Sequence, residues 1–149
     1  MEVDKLEFKI DVPTDSEGFY SLECPHCNER FKALGGDIDA EEILEIFCPQ
    51  CGLMADSSNF IPSDVINHAK TLALNYMQEE VYKTFKKTSR RSKHSSLSFK
   101  IDKPRKEVPK LLTEDENLEK VELICCNRII KVNIDQKAIN IYCPYCGVN

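Results

Sequence analysis

Eight cysteines constrain this chain more than any other feature, because they fall into two groups of four. The first group is Cys24, Cys27, Cys48 and Cys51, and the second is Cys125, Cys126, Cys143 and Cys146. Related octapeptides precede the groups, LEFKIDVP at 6–13 and LSFKIDKP at 97–104, and six of the eight positions are identical. The sequence therefore predicts an internal repeat, in which one small cysteine-bearing unit occurs twice within 149 residues.

A unit of about fifty residues buries too little apolar surface to fold securely without disulfides or a metal. The N-terminal residues 1–9 alternate charged and apolar side chains, which is not typical of a secretory signal peptide. No apolar run approaches the roughly 20 residues that a membrane-spanning helix needs. We therefore expect a cytoplasmic chain that does not bind membranes, whose reduced thiols serve as metal ligands.

The spacing of the first group is typical of a metal site, because Cys24-Pro25-His26-Cys27 and Cys48-Pro49-Gln50-Cys51 each separate two sulfurs by a tight turn. Proline after the first cysteine fixes φ and stiffens that turn. The residue after the second cysteine often needs a left-handed backbone, which Gly adopts freely and Asn tolerates. The residues at that place are Asn28, Gly52, Asn127 and Gly147. The pattern predicts a closed tetrahedron of four thiolates, the arrangement of a structural zinc site.

The second group departs from this spacing, because Cys125 and Cys126 are adjacent. Aligning Leu22-Glu23-Cys24 with Leu123-Ile124-Cys125 places Cys126 opposite Cys27 and leaves out the Pro-His pair. Three interpretations follow: both cysteines bind one metal, one binds while His94 or water completes the shell, or the pair is a redox-active dithiol. The repeat favours the first interpretation.

The motif Cys-Pro-x-Cys, a hairpin and then Cys-Pro-x-Cys-Gly resembles the zinc-ribbon family over residues 19–52 and 119–147. The resemblance implies small antiparallel sheets of three strands, each with one structural Zn²⁺, so two ions in this chain. The family includes transcription factors, polymerase subunits and adaptors, so the resemblance implies function only loosely. Rubredoxin-like iron is the second candidate metal, and it is disfavoured because the chain has no Trp.

The fold class expected is a small, metal-stabilised α+β protein with two zinc-ribbon modules of three to four antiparallel strands, joined by one long helix. Alternating apolar residues predict strands at 6–12, 19–23, 30–34 and 43–47, and in the second unit at 97–102, 119–125, 129–134 and 138–143. Acidic helical turns are expected at 37–42 and 113–118. Apolar residues at helical spacing predict one helix over 62–88. The predicted domains are 1–61, a connecting helix and basic linker over 62–96, and 97–149.

The predicted helix carries a stripe comprising Leu72, Ala73, Tyr76, Met77 and Val81. We expect this stripe to form a core that packs the two units together, because each has little core of its own. The alternative is a docking surface for a partner.

A basic segment at 83–110 carries eleven Lys and Arg against two acids, a net charge of +9 in a chain whose total is −5. Its candidate phosphate-binding residues are Lys83, Lys86, Lys87, Arg90, Arg91, Lys93, Lys103, Arg105 and Lys106. Such segregation suits either pairing with acidic segments of the same chain or sequence-tolerant nucleic-acid binding. Aromatic residues are sparse there, so a base-stacking platform is not predicted.

The chain contains no Gly-rich phosphate loop and no nucleophile–base spacing, and a closed shell of four thiolates leaves no open position for catalysis. We therefore expect no enzymatic activity, no catalytic residue and no small-molecule substrate. The function that fits is a zinc-stabilised adaptor or accessory subunit that binds a larger protein. Nucleic-acid binding and thiol redox sensing are the alternatives.

Overall fold

The computed structural model describes residues 7–38, 41–91, 100–114, 117–133, 135 and 140–148. Within those ranges the elements are β1 (Phe19–Glu23), β2 (Arg30–Leu34), α1 (Gly35–Ile38), β3 (Glu45–Phe47), β4 (Met54–Asp56), a 3-10 helix (Ser57–Phe60), α2 (Ser63–Arg91), β5 (Leu118–Leu123) and β6 (Arg128–Asn133). The coarse class predicted from the sequence, a small α+β protein with antiparallel strands and one long helix, is confirmed.

The strands beside the first cysteine pair are those that alternation predicts best, since β1 and β2 have the predicted bounds. The strands predicted at 6–12 and 97–102 are wrong for the residues that the structure describes, 7–12 and 100–102. Residues 140–143 also form no strand. Alternating apolar and polar residues identify the apolar face of a segment. They do not provide the neighbouring strand with which that segment would have to form hydrogen bonds. Phe8 instead packs edge-on against Tyr76 of α2, with 5.6 Å between ring centroids.

The helical predictions are partly correct. α1 begins earlier than the acidic turn predicted at 37–42, and of that turn residues 39–40 lie outside the described residues. The described residues of 113–118 form no helix, and β5 begins at Leu118. α2 extends three residues beyond its predicted end, to Arg91. Ion pairs from Lys83 to Glu79 and Glu80 support these last turns of α2.

Four strands form one antiparallel sheet in the order β1-β2-β6-β5. The first hairpin (β1 and β2) and the second hairpin (β5 and β6) therefore join edge to edge, through β2 and β6. In this pairing Lys32 lies opposite Lys131, and Ala33 lies opposite Ile130. Because Lys32 and Lys131 occupy equivalent places in their hairpins, a local two-fold axis passes between them.

The two Cys-Pro-x-Cys-Gly turns obey the same two-fold relationship. The backbone N–H of Phe47 donates to the carbonyl of Pro144, and the N–H of Tyr142 donates to the carbonyl of Pro49, both at 2.9 Å. Each bond is the symmetry mate of the other, because Phe47 and Tyr142 immediately precede equivalent cysteines. The halves of the repeat thus pair at two places, in the sheet and at these turns.

A single apolar cluster lies beneath the paired hairpins. Its buried side chains are Leu22, Phe31, Ala33, Ile46, Phe60, Leu123, Ile130 and Val132, together with the sulfurs of Cys24, Cys48 and Cys143. Phe31 and Phe60 meet edge to face, with 6.0 Å between ring centroids. Both halves of the repeat contribute to this core, and three metal-ligand candidates are part of it.

A charged cluster lies at the middle of the sheet, beside an open cavity of about 840 Å³. The Lys32 ammonium lies 2.8 Å from Glu114 and 3.7 Å from Asp15. The Lys131 ammonium lies 2.5 Å from Asp15 and 3.4 Å from Glu17. Burial of these lysines is tolerated because carboxylates outside the sheet compensate their charge.

The chain divides into two compact units, one with the described residues of 1–10 and 67–111 and the other with those of 11–66 and 112–149. In the first unit, side chains of α2 hold an extended segment, residues 106–110. The Asn75 amide donates to the Glu107 carbonyl at 2.7 Å and accepts from the Glu107 N–H at 2.9 Å. His68 contacts the Lys110 carbonyl at 2.9 Å, and Glu79 pairs with Lys106 at 2.7 Å. The domain boundaries predicted from the sequence stay a prediction.

The stripe on α2 is not the core that the sequence predicts. None of the helix residues is buried, and Met77 is 60% exposed. Leu74, Met77, Val81 and Phe85, each more than half exposed, form one continuous apolar stripe at spacings of three and four residues. We call these four residues the helix stripe.

Across the part of the chain that the structure describes, no helix has the length and apolar character needed to cross a bilayer.

Candidate metal centres

The first hairpin presents two cysteines through a tight turn between β1 and β2. The Cys24 N–H donates to the Glu29 carbonyl, and the Asn28 N–H donates back to the Cys24 carbonyl, both at 3.0 Å. Asn28 has φ of 60°, so the left-handed residue predicted after Cys27 is present. This geometry directs the sulfurs of Cys24 and Cys27 to the same side of the turn.

The turn at Cys48–Cys51 repeats that geometry. The Cys48 N–H donates to the Leu53 carbonyl at 3.0 Å, and the Gly52 N–H donates to the Cys48 carbonyl at 2.9 Å. Gly52 has φ of 70°. The two turns face each other and bring their four cysteines together as a first cluster.

The sulfurs of the first cluster are spaced as metal ligands. Cys24 Sγ lies 3.7 Å from Cys51 Sγ, and Cys27 Sγ lies 3.5 Å from Cys48 Sγ. All four lie within 4.8 Å of one another. A disulfide needs about 2.05 Å, whereas the edge of a tetrahedron with metal–sulfur bonds of about 2.3 Å measures about 3.8 Å. The four thiols are free and their geometry fits one tetrahedral ion.

The second hairpin keeps the turn but moves one cysteine. The Asn127 N–H donates to the Leu123 carbonyl at 2.8 Å, and Asn127 has φ of 54°. Leu123 therefore occupies the place of Cys24, and Cys126 occupies the place of Cys27. Cys125 occupies the place of His26. The alignment of Cys125 with Cys24 made from the sequence is wrong, because the four-residue turn is intact and only the first sulfur has shifted.

The structure nevertheless brings Cys125, Cys126, Cys143 and Cys146 together as a second cluster. Their sulfurs all lie within 4.8 Å of one another, and Cys126 Sγ lies 3.7 Å from Cys143 Sγ. The Cys143 turn repeats the Cys48 turn, with Cys143 N–H to the Val148 carbonyl and Gly147 N–H to the Cys143 carbonyl, both at 2.8 Å. Each cluster could therefore hold one metal ion.

Hydrogen bonds favour the thiolate at one sulfur of each cluster. Burial alone would raise the pKa of Cys24, but backbone N–H groups of the turn donate to its sulfur, and the net effect lowers that pKa. The pKa of Cys143 is lowered by the same balance between burial and backbone N–H groups. Burial raises the pKa of Cys27 and of Cys48. A bound cation would offset that cost, because thiols deprotonate when they coordinate a metal.

Reciprocal aromatic contacts brace the two Cys-Pro-x-Cys-Gly turns, and the predictions from the sequence do not include them. A Cβ on Gly52 would lie 3.1 Å from the Tyr142 ring, and one on Gly147 would lie 2.8 Å from the Phe47 ring. Each aromatic side chain thus covers the glycine of the other turn. The shared hexapeptide, aromatic-Cys-Pro-x-Cys-Gly, was the signal that could have revealed this packing.

Neither histidine of the described residues, His26 or His68, joins the clusters. The His26 ring lies 3.4 Å from the Met54 carbonyl, and His68 contacts the segment at 106–110. His94, the alternative ligand for the second cluster, lies outside the described residues.

The candidate phosphate-binding residues that the structure describes lie on α2 and in the segment at 100–114. Lys86, Lys87, Arg90 and Arg91 are exposed on the last turns of α2. Lys83 and Lys106 are both paired with Glu79. Lys103 and Arg105 lie in the described segment without regular structure at 100–114, and Lys93 lies outside the described residues.

No protein-family model, curated protein or solved structure matches this chain. The zinc-ribbon resemblance therefore rests on the cysteine motifs and their turns.

Proposed function

We propose that this protein is a non-catalytic, zinc-stabilised adaptor, in which two zinc-ribbon modules form the scaffold and the helix stripe binds a larger protein. The observation that carries the proposal is the pair of four-cysteine clusters, whose sulfurs have the spacing of tetrahedral ligands. Zinc is favoured because it takes four thiolates in closed structural sites. A complete shell leaves no position for substrate, which argues against catalysis.

The structural role of the metal is supported by the places of the clusters in the fold. Cys24, Cys48 and Cys143 are buried within the apolar core, and turns from both halves of the repeat meet beside them. Structural zinc binding contributes about 10–16 kcal/mol in small peptides, more than the usual net stability of a small domain. Metal binding at each cluster is then coupled to the folding of the turns that supply its cysteines.

The helix stripe is the proposed partner surface. Its four apolar side chains are more than half exposed, while Lys83, Lys86 and Lys87 lie exposed on the same turns of α2. A contiguous apolar surface bordered by charge is typical of an interaction site. The matching partner is a protein with an apolar groove flanked by acidic side chains, which would receive α2 as a helix in a groove.

Native mass spectrometry tests the metal part of the proposal, with two zinc ions per chain as the expected result. A folded chain that carries no metal, or that carries iron, would overturn it.

Affinity capture tests the adaptor part through a matched pair of neighbouring substitutions. Met77→Glu places a charge in the helix stripe, and Gln78→Glu places the same charge beside it. We expect a stoichiometric partner to be retained by Gln78→Glu and reduced at least about tenfold by Met77→Glu, equivalent to about 1.4 kcal/mol. Equal capture by both variants would exclude the helix stripe as the binding surface.

Nucleic-acid binding is the second candidate, supported by the exposed Lys86, Lys87, Arg90 and Arg91 on the last turns of α2. Such contacts would be to phosphates and would weaken steeply with salt. Fluorescence anisotropy with single- and double-stranded oligonucleotides at low salt tests it. Binding that Arg90→Glu and Arg91→Glu abolish would support it, and no binding would end it.

A further inference from the structure

The local two-fold relationship is broken at one place in the cysteine clusters. In the first hairpin the turn begins with a buried sulfur, Cys24, whereas in the second hairpin it begins with the buried side chain of Leu123. The missing sulfur is replaced by Cys125, two residues later, where the first hairpin has His26. The second cluster therefore takes a sulfur from the exposed tip of its turn.

This shift changes how the sulfurs are shielded. The first cluster has two buried cysteines, Cys24 and Cys48, whereas the second has one, Cys143. Two cysteines of the second cluster, Cys125 and Cys146, are exposed, against one of the first cluster, Cys27. Exposure gives small oxidants a direct path to the Cys125 sulfur, and access is one determinant of cysteine reactivity.

Hydrogen bonds from backbone N–H groups to sulfur are also fewer in the second cluster than in the first. The His26 N–H donates to Cys24 Sγ and the Gln50 N–H donates to Cys48 Sγ, both at 3.4 Å. In the second cluster the Cys146 N–H donates to Cys143 Sγ at 3.4 Å. The Glu29 N–H acts on the sulfur of Cys27, the exposed cysteine of the first cluster. No backbone N–H of the described residues does so for Cys125 Sγ, since the first place in its turn belongs to Leu123. An N–H donor withdraws charge from a thiolate, so a sulfur without one is the better nucleophile.

We propose that Cys125 is an oxidation site for peroxides, and that its reaction releases the metal of the second cluster while the first cluster keeps its own. The inference rests on the proposed zinc content of both clusters and adds a regulation to the proposed adaptor. The Cys125 thiolate attacks one peroxide oxygen, so that an S–O bond forms, the O–O bond breaks and hydroxide leaves. A neighbouring thiolate of the cluster then attacks that sulfur, forming an S–S bond and expelling a second hydroxide.

The two steps balance, because two thiolates lose two electrons in all and hydrogen peroxide gains them to become two hydroxide ions. The neighbouring thiolate is within reach, since all four sulfurs lie within 4.8 Å. The second cluster then retains two sulfurs, too few for a closed shell. A thiol reductant restores the four thiolates.

The consequence for the fold is local. The turn at Cys143–Cys146 supplies the Pro144 carbonyl to Phe47 and carries Tyr142, which covers Gly52. Loss of the second metal removes the support of that turn, so these contacts loosen while the first hairpin and its cluster persist. Oxidation thereby uncouples one of the two places at which the halves of the repeat pair.

The test is a peroxide titration followed by native mass spectrometry, with dimedone present to trap sulfenic acid and peptide mapping to locate it. We expect two zinc ions at the start, one after limited peroxide, and the first modification at Cys125. Loss of both ions together, retention of both, or earlier modification of a first-cluster cysteine would each overturn the inference. A chain without zinc before peroxide is added would instead contradict the proposed function.

Reciprocal variants exchange the two turn types. Leu123→Cys with Cys125→His gives the second hairpin the spacing of the first, and we expect both ions to survive the peroxide dose that removes one from wild type. Cys24→Leu with His26→Cys does the reverse, and both ions should then be lost. Zinc content and circular dichroism before oxidation show whether each variant folds. If either variant does not fold, peptide mapping of the wild-type chain decides the question.

Discussion

Lys32 and Lys131 lie directly opposite each other on β2 and β6, with Asp15 3.7 Å from one ammonium and 2.5 Å from the other. Lys32 is only 1% exposed. Like charges at opposed positions destabilise a sheet, so the pairing of the hairpins depends on carboxylates that come from outside the strands. Asp15 pairs with both lysines.

Replacing Asp15 with Asn should therefore destabilise the protein strongly. The substitution leaves Lys131 buried beside Lys32 with less compensating charge, and removing one partner of a buried ion pair costs about 3–5 kcal/mol. Urea denaturation at neutral pH measures the change. Glu17→Gln is the matched control, because Glu17 is more exposed and its removal should cost under about 1 kcal/mol. Equal effects would contradict a special role for Asp15.

The stability of the protein should also depend on pH through the Asp15 carboxyl. Burial alone would raise the pKa of Asp15, but the Lys131 ammonium and the Phe19 N–H outweigh it and lower that pKa. A carboxyl with a lowered folded-state pKa contributes stability above its unfolded pKa, and the contribution is lost as pH falls through the folded value. We expect the free energy of unfolding to fall below about pH 4. If the decline for Asp15→Asn paralleled that of wild type, Asp15 would not be its source.

Chelation under reducing conditions should unfold the cysteine-bearing turns before α2. Metal binding and folding are coupled in small metal-stabilised domains, whereas the segment at 106–110 is held to α2 by Asn75, His68 and Glu79. Hydrogen exchange with and without chelator should show protection lost at 24–52 and 123–148, and its return when zinc is added. Unchanged protection at those turns after complete metal removal would contradict a structural role for the ion.

Gly147→Ala should be costlier than Gly18→Ala, although both residues have positive φ. A Cβ at Gly147 would lie 2.8 Å from the Phe47 ring, whereas a Cβ at Gly18 would meet nothing within 4 Å. We expect a loss of about 1–2 kcal/mol at Gly18 from backbone strain alone. At Gly147 a further 1–3 kcal/mol, roughly, should come from overpacking. Thermal denaturation compares them, and Phe47→Leu should recover part of the Gly147→Ala loss.

Asn75→Ala should free the segment at 106–110 from α2. Both hydrogen bonds to the Glu107 backbone are lost, each worth about 0.5–1.5 kcal/mol. Amide exchange at Glu107 should accelerate, while exchange within the first hairpin should not change. Asn67→Ala, at an exposed position on the same helix, is the control. Slow exchange at Glu107 in the Asn75 variant would show that other contacts hold the segment.

The features that could be predicted from the sequence are those that neighbouring residues along the chain determine. β1 and β2 have their predicted bounds because alternation and the flanking cysteines agree, and the left-handed residues after Cys27, Cys51, Cys126 and Cys146 follow from backbone sterics. The grouping of the eight cysteines followed from spacing.

Contacts between the halves of the repeat could not be predicted in this way. The register of β2 against β6 depends on Lys32, Lys131 and the distant Asp15, which no local pattern links. The place of Leu123 was missed because cysteines, rather than the asparagines after them, were aligned. The prediction of a strand at 6–12 was wrong because an aromatic side chain can cover an apolar face without any strand partner. Tyr76 covers Phe8 in this way.

The reciprocal pairing of Phe47 with Pro144 and of Tyr142 with Pro49 has a consequence for the origin of the chain. A single copy of the repeat would leave one strand edge and one aromatic ring exposed, and it could cover both only against an identical copy. Fusion of two copies into one polypeptide makes that association independent of protein concentration. It also lets the two copies differ, as Leu123 and Cys125 differ from Cys24 and His26, where a homodimer would carry the same residues in both copies.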